Sequence, residues 1–252
     1  MMEIIIAIGS IHALYISVLI LSKKQKGFDN YILAALMFVM FAAFGVYFIS
    51  EYFQLKVLQV FIWNISMLIA PVFYLYAYVL TRENVIFSWK WIWLFIPYIL
   101  SNIYLLYVFV FYTEIEIDIL FNEVNTVKEI SLYHVFEALE LFAAPTFLTW
   151  IFVILHKHEV RLFSVFSNVE NRDLHWLKFL SFGMLGIWLV TNTSLFLSPN
   201  NEEYVIYGFG FSTIFIFYMG YYGIKQSVVF DIPIEPVSDI APQTESKKYE
   251  KS

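Results

Sequence analysis

The chain has 252 residues, of which 60% are hydrophobic, 21% are aromatic and only 14% are charged. A water-soluble domain is usually about 45–50% apolar and about 25% charged, so this composition excludes a single water-soluble core and predicts a membrane protein. The net charge of −6 gives no indication that this chain binds nucleic acid. The absence of cysteine from the sequence excludes disulfides and thiolate metal sites.

The first residues, MMEIIIAIGS, do not resemble a cleavable signal peptide. They lack a basic segment and carry Glu3, and the first positive cluster, SKKQK, comes only after the first apolar run. This order predicts a first helix that stays in the membrane with its N-terminus outside.

Seven apolar stretches are long enough to cross a bilayer, which takes about 20 residues of helix. They cover approximately residues 4–21, 31–49, 57–80, 91–112, 132–155, 174–197 and 204–223. They are too long and too uniformly apolar for barrel strands. We therefore predict an all-α integral membrane protein, a bundle of seven transmembrane helices with the N-terminus outside and the C-terminus cytoplasmic.

The distribution of positive charge supports this orientation. Of the 15 Lys and Arg, all but Lys56 and Lys128 fall in segments that the orientation places inside. The segments placed outside are acidic, with Glu114, Glu116, Asp118, Glu123, Glu129, Glu202 and Glu203. These features predict a multi-pass membrane protein.

The segment HVFEALE places His134, Glu137 and Glu140 near the outer end of the fifth stretch. Their spacing of three spreads them over about 120° of helix surface. Ionisable residues within transmembrane segments commonly bind a ligand, a proton or a cation, so one interpretation is a site that opens outward. The alternative is that these groups lie in the headgroup region and are simply hydrated.

A second set of polar residues lies on other stretches, at middle or outer depth. Its members are Asn64 in the third, Ser101 and Asn102 in the fourth, and Thr191–Ser194, with Asn192, in the sixth. Together with Glu137 and Glu140 they could line one outward-facing ligand-binding cavity. Alternatively, each forms a hydrogen bond between helices, which is worth about 0.6 kcal/mol on average.

The residues that several kinds of functional site require are missing from the sequence. No Lys lies midway along the last stretch, as a retinal Schiff base requires, and the five histidines do not suggest a zinc site. We therefore predict no catalytic residue, no metal and no cofactor. A membrane enzyme that uses His134, Glu137 and Glu140 is the rival interpretation.

The end of the last stretch reads GYYGIKQSVVF. It resembles the end of the membrane region in AraC-type (AraC/XylS) transcriptional regulators of Bacteroidetes, where Gly-Tyr-aromatic-Gly is followed by Arg/Lys-Gln and an apolar pair. The matching residues are Gly220, Tyr221, Tyr222, Gly223, Lys225, Gln226, Val229 and Phe230. The segments APVFYLYAYVLT (Ala70–Thr81), FIPYIL (Phe95–Leu100) and KKYEKS (Lys247–Ser252) are also similar to segments of that family.

The resemblance implies a seven-helix sensory domain over residues 1–228 and a cytoplasmic linker over residues 229–252. It also implies a helix-turn-helix output module that is absent from this chain, so DNA would be contacted only through that module. The other implied partners are membrane lipid, an unknown small-molecule or extracytoplasmic ligand, and a second copy in a homodimer. A sensor of a histidine kinase has a similar layout, and a small transporter or channel is a further alternative.

Signal transfer to the cytoplasm is expected at the end of the seventh helix. Gly220 and Gly223 expose backbone on one side, which allows close helix approach. Tyr221, Lys225 and Gln226 lie at the membrane interface, where a Lys side chain can reach the headgroups. The alternative interpretation is a glycine-rich packing seam with an aromatic belt.

Overall fold

The computed structural model of the chain describes residues 2–24, 27–53, 64–82, 85–112, 132–165, 174–197 and 203–229. Within these ranges the secondary structure is entirely helical, with no strand. The helices are α1 (Met2–Leu21), α2 (Phe28–Tyr52), α3 (Ile69–Leu80), a 3-10 helix (Trp89–Phe95) that leads into α4 (Ile96–Phe111), α5 (Leu132–Val165), α6 (His175–Leu197) and α7 (Glu203–Val229). The prediction of an all-helical protein is confirmed for this part of the chain.

Four helical segments in the described ranges are long and apolar enough to cross a bilayer. They are Glu3–Leu21, Phe28–Tyr52, Trp89–Phe111 and Ala138–Leu162, and a shorter apolar helical stretch covers Asn64–Leu80. Large apolar side chains are exposed along these segments, as expected for surfaces that face lipid; examples are Ile11, Leu106 and Phe142. The chain therefore has the architecture of a helical membrane protein.

The third predicted stretch is interrupted in the structure. A turn at residues 67–68 separates a short helical piece at residues 64–66 from α3. Pro71 is the third residue of α3 and so lies in its first turn, where a missing backbone N–H costs little. Pro97 lies in the first turn of α4 in the same way.

Six of the helices form a closed order, in which each helix contacts the next and the last contacts the first. α1 contacts α2 and α7, α2 contacts α3, α3 contacts α5, α5 contacts α6, and α6 contacts α7. The remaining helix, α4, contacts its own 3-10 extension and α5. Six helices thus surround one core, and α4 lies at its side.

The last helix occupies a central position in this arrangement. Ile216 and Met219 of α7 are fully buried. Other residues of α7 contact four helices: Gly220 contacts Ile16 of α1, Gly223 contacts Leu33 of α2, Phe215 contacts Phe73 of α3, and Tyr222 contacts Trp176 of α6. A displacement of α7 would consequently change its packing against most of the core.

The contacts between α1 and α7 show that these two helices run parallel. Gly9 approaches Thr213, His12 stacks on Phe217, and Ile16 contacts Gly220. Residue numbers rise together along both helices, so α1 and α7 begin at the same end of the bundle. Contacts between α1 and α2 run in opposite senses, because Ser10 pairs with Phe41 and Ser17 with Ala34.

The parallel packing can be tested by a disulfide between α1 and α7. Two carbons bonded to Ile16 Cβ lie 2.9 and 3.4 Å from the point where a Cβ on Gly220 would stand. The two Cβ atoms of an I16C/G220C variant should therefore meet the separation of about 3.5–4.5 Å that a disulfide needs. We expect the oxidised variant, cleaved in a loop, to remain one linked species until it is reduced.

The natural chain has no cysteine, so a single pair can be followed without background. The matched control is I16C/Y221C, because Tyr221 lies on the exposed side of α7. Equal cross-linking of both pairs, or none in I16C/G220C, would contradict the packing of α1 against α7.

Candidate functional site

Two of the polar residues predicted from the sequence form a buried pair. Asn64 is 6% exposed and Ser101 is 4% exposed, and the Ser101 hydroxyl donates a hydrogen bond to Oδ1 of Asn64. This bond joins the helical piece before α3 to the middle of α4. The Nδ2 group of Asn64 is buried and has no hydrogen-bond partner. A buried donor without a partner costs about 1–3 kcal/mol. Among the described residues, Asn30 Oδ1 and Trp176 Nε1 are also buried without a partner.

The other two predicted asparagines bond within their own helices. Asn102 donates from Nδ2 to the carbonyl of Tyr98 at 2.8 Å, and Asn192 donates to the carbonyl of Trp188 at 2.9 Å. Both side chains are half-buried. Asn102 directly follows Ser101, whereas Asn192 lies on α6, and none of the described hydrogen bonds joins Asn192 to Asn64. Asn102 is thus adjacent in sequence to the partner of Asn64, whereas Asn192 lies on another helix.

The predicted acidic cluster lies in the first three turns of α5. The side chains of His134 and Glu137 fall outside the described residues, so their prediction is not addressed by the structure. Glu140 is half-buried and engaged in an interaction. Its helix is near α4, because the rings of Tyr104 and Phe136 are 5.5 Å apart. The first turns of α5 and the second half of α4 are therefore neighbours.

The two glycines at the end of α7 lie in close helix contacts. A Cβ atom on Gly220 would collide with the side chain of Ile16, and a Cβ atom on Gly223 would collide with Leu33. The hydroxyl oxygen of Tyr76, on α3, lies 3.5 Å from the same Cβ position of Gly223. A side chain at either position would therefore require Ile16 or Leu33 to move, or α7 to shift away from α1 or α2.

Two other residues of this motif, Tyr221 and Lys225, lie on the exposed side of α7. Tyr221 is 60% exposed, and the Lys225 ammonium lies 5.9 Å from the centre of its ring, within reach of a cation–π interaction. Gln226 is in α7, but its side chain is outside the described residues. The motif thus has a packed face of glycines and an exposed face with an aromatic and a cationic side chain.

A contact that the sequence did not reveal lies next to this motif. Lys23, in the segment between α1 and α2, donates from Nζ to the carbonyl oxygen of Ile224 at 3.3 Å. Positive side chains are favourable near helix C-termini, where carbonyl groups lack partners. The sequence assigned Lys23 only a role in orientation. The sequence could not predict that Lys23 contacts Ile224, because 201 residues separate the two positions.

His12 is a second residue whose role sequence reasoning missed. It lies midway along α1, and its ring stacks on Phe217 of α7 with centroids 3.6 Å apart. The available signal was an ionisable residue inside a predicted transmembrane stretch. The described residues, His12 among them, contain no cluster of three or more metal-ligating side chains.

Comparisons with protein-family models, with curated proteins and with solved structures found no match to this chain. The assignment of function therefore relies on the residues and contacts described above.

The bond between Asn64 and Ser101 predicts a measurable contribution to stability. In a Ser101→Ala variant, Oδ1 of Asn64 would lose its hydrogen-bond donor. Both Oδ1 and Nδ2 of the Asn64 amide would then lack a hydrogen-bond partner. We expect a loss of about 1 kcal/mol in the free energy of unfolding in detergent. The control is Thr149→Ala, because the exposed Thr149 hydroxyl bonds only to the carbonyl of Pro145 in its own helix. Equal stability of both variants would show that the Asn64–Ser101 bond contributes nothing.

Proposed function

We propose that this chain is the membrane-embedded sensory domain of a bacterial transcriptional regulator. In this proposal residues 1–228 cross the inner membrane seven times. Residues 229–252 lead to a cytoplasmic helix-turn-helix module that the chain itself does not contain. A ligand from the membrane or from outside the cytoplasm changes the packing of the bundle, and α7 passes the change to the linker.

The observation that carries the proposal is the packing of α7. This helix contacts α1, α2, α3 and α6 through its core-facing side, and it leads directly toward the linker. A helix in this position senses the arrangement of most of the bundle. The resemblance of its last turns to AraC-type membrane regulators supports the same role.

The two glycine contacts explain how α7 could have discrete positions. Gly220 is in contact with α1 and Gly223 with α2, and in both contacts an added Cβ atom would collide with the neighbouring side chain. A slide or rotation of α7 would move the glycines away from Ile16 and Leu33, and larger residues of α7 would take their place. Packed interfaces of this kind switch between arrangements rather than deform smoothly. A ligand that prefers one arrangement then shifts the population toward it.

Two observations support the proposed orientation. α1 and α7 run parallel, so the C-terminal end of α7 lies at the end of the bundle opposite to the N-terminus of α1. At that end Lys23 contacts Ile224, which is next to Lys225. Positive residues concentrate on the cytoplasmic side of membrane proteins, so this end is the cytoplasmic one in our proposal.

The orientation predicts the behaviour of reporter fusions in bacterial cells. Green fluorescent protein fused after Ser252 should fluoresce, and alkaline phosphatase at the same position should be inactive. Fusions after Asn122, in the acidic segment proposed to be outside, should give the reverse result. An active phosphatase after Ser252 would place the end of the chain in the periplasm and would disprove the route to a cytoplasmic output.

The relay through α7 predicts that filling the glycine contacts changes output. The transcripts that respond when the gene is deleted define that output. With the protein expressed from its own gene, we expect Gly220→Leu and Gly223→Leu each to change those transcripts by about 5-fold to 150-fold, the usual range of allosteric coupling. The control is Gly210→Leu in the same helix, because nothing lies within 4 Å of a Cβ at Gly210.

Membrane levels of each variant, measured by immunoblot, separate a signalling defect from a failure to fold. Unchanged transcripts in Gly220→Leu and Gly223→Leu at normal membrane levels would disprove the relay through α7. If deletion of the gene changes no transcript, the assignment to transcription control fails. A change in protein phosphorylation instead would favour the histidine kinase alternative.

A further inference from the structure

We propose that Asn64 and Ser101 form the binding site for a neutral, membrane-soluble molecule that offers a hydrogen-bond acceptor, such as a ketone or an ester carbonyl. This inference rests on the proposed sensory function and names the class of ligand that the sensor would recognise. The cationic ligand considered from the acidic cluster is a different class.

The state of the Asn64 amide determines which chemical group is missing. In the structure its Oδ1 atom accepts the hydrogen bond from Ser101, which leaves Nδ2 as the group of the amide without a partner. Its Nδ2 group is buried and unbonded. An amide nitrogen is a donor only, so the group that satisfies it must be an acceptor. A cation cannot fill this position, because it would face the N–H hydrogens.

The surroundings of the pair indicate that the ligand is neutral. The described residues 64–82 contain one charged residue, Arg82, at the far end of α3, and α4 contains none. An ion beside Asn64 would therefore lack a counter-charge on either of the two segments that form the pair. Glu140 of the neighbouring α5 is half-buried and already engaged in an interaction. Burial of an unpaired charge is far more costly than burial of a polar neutral group.

The position of α4 indicates that the ligand comes from the bilayer. Ser101, Leu105 and Val108 form the buried face of α4, whereas Ile103 and Leu106 on its other side are more than half exposed. α4 also lies at the side of the closed order of helices rather than within it. Within the described part of the chain, α4 separates the Asn64–Ser101 pair from lipid-facing residues such as Ile103 and Leu106.

A path from this site to α7 runs through α3. Asn64 lies in the helical piece just before the turn at residues 67–68, and α3 follows directly. Further along α3, the ring of Phe73 packs against Phe215 of α7, with centroids 6.0 Å apart. Tyr76, one turn later, lies against Gly223. A ligand that repositions the start of α3 would thus act on both contacts between α3 and α7.

The test uses two photoreactive probes with the purified protein in lipid nanodiscs. One is a long-chain ketone that carries a diazirine and an alkyne next to the carbonyl, and the other is the matching hydrocarbon without the carbonyl. Labelled peptides are identified by mass spectrometry. We expect the ketone to label residues 64–82 and 96–111 about five-fold more than the hydrocarbon does, as one hydrogen bond in a membrane would allow. Excess unlabelled ketone should compete.

Two variants define the contribution of the amide. Asn64→Leu should reduce labelling by the ketone to the level of the hydrocarbon. Thr149→Leu should leave it unchanged, because the exposed Thr149 hydroxyl already bonds to the carbonyl of Pro145 in its own helix, α5. The comparison of the two probes on the natural protein does not depend on how either variant folds.

The outcomes separate this inference from the proposed function. Equal labelling by both probes, or preferential labelling of other helices, would overturn the site, whatever the transcripts show in the glycine variants. Selective labelling at Asn64 establishes the site even if those variants leave transcription unchanged, because the measurement uses binding alone.

Discussion

The close approach of α7 to α1 and α2 is the constraint on which the rest of the bundle depends. Lipid tails are as apolar as the helix surfaces, so helices in a bilayer associate through shape and hydrogen bonds rather than by the hydrophobic effect. Gly220 and Gly223 are three residues apart, which places them about 60° apart around the helix axis. That angle lets one glycine face Ile16 of α1 and the other face Leu33 of α2. Because both glycines carry a hydrogen atom in place of a side chain, α7 packs closely against α1 and α2 at the same time.

The two helices against which the glycines of α7 pack, α1 and α2, are joined to each other by hydrogen bonds. α1 and α2 are held together by the Ser10 hydroxyl on the carbonyl of Phe41 and the Ser17 hydroxyl on the carbonyl of Ala34. Buried hydrogen bonds of this kind fix the relative position of two helices more strictly than apolar contacts do. A displacement within the bundle would therefore separate α7 from the α1–α2 pair more readily than it would separate α1 from α2.

Much of the helical architecture could be predicted because each stretch is long and apolar, and Gly220 and Gly223 stood out because glycine is informative within a membrane helix. Which faces meet could not be predicted. A helix that is apolar all round has no polar stripe to mark its buried side. Ile16 and Leu33 are consequently indistinguishable from their neighbours in the sequence. The break before α3 could not be predicted from the sequence. Asn64, Asn102 and Asn192 share a residue type, and nothing in the sequence indicated which amide would remain unbonded.

The polar groups of the bundle divide into two kinds, and the division assigns different roles to different helices. The side chains of Asn102, Thr149, Ser181, Asn192 and Thr213 bond to the carbonyl four residues earlier in their own helices. Such bonds satisfy the side chain without fixing a neighbouring helix. Bonds that cross between helices occur at Ser10, Ser17 and Ser101, which tie α1 to α2 and α4 to the segment before α3, and at Lys178, which bonds to Glu159 and ties α6 to α5. In the described part of α7, the core-facing contacts are made by glycines, rings and the buried side chains of Ile216 and Met219, and the bond from Lys23 lies near its end. Movement of α7 would therefore break few buried hydrogen bonds, which is the property that a signalling helix requires.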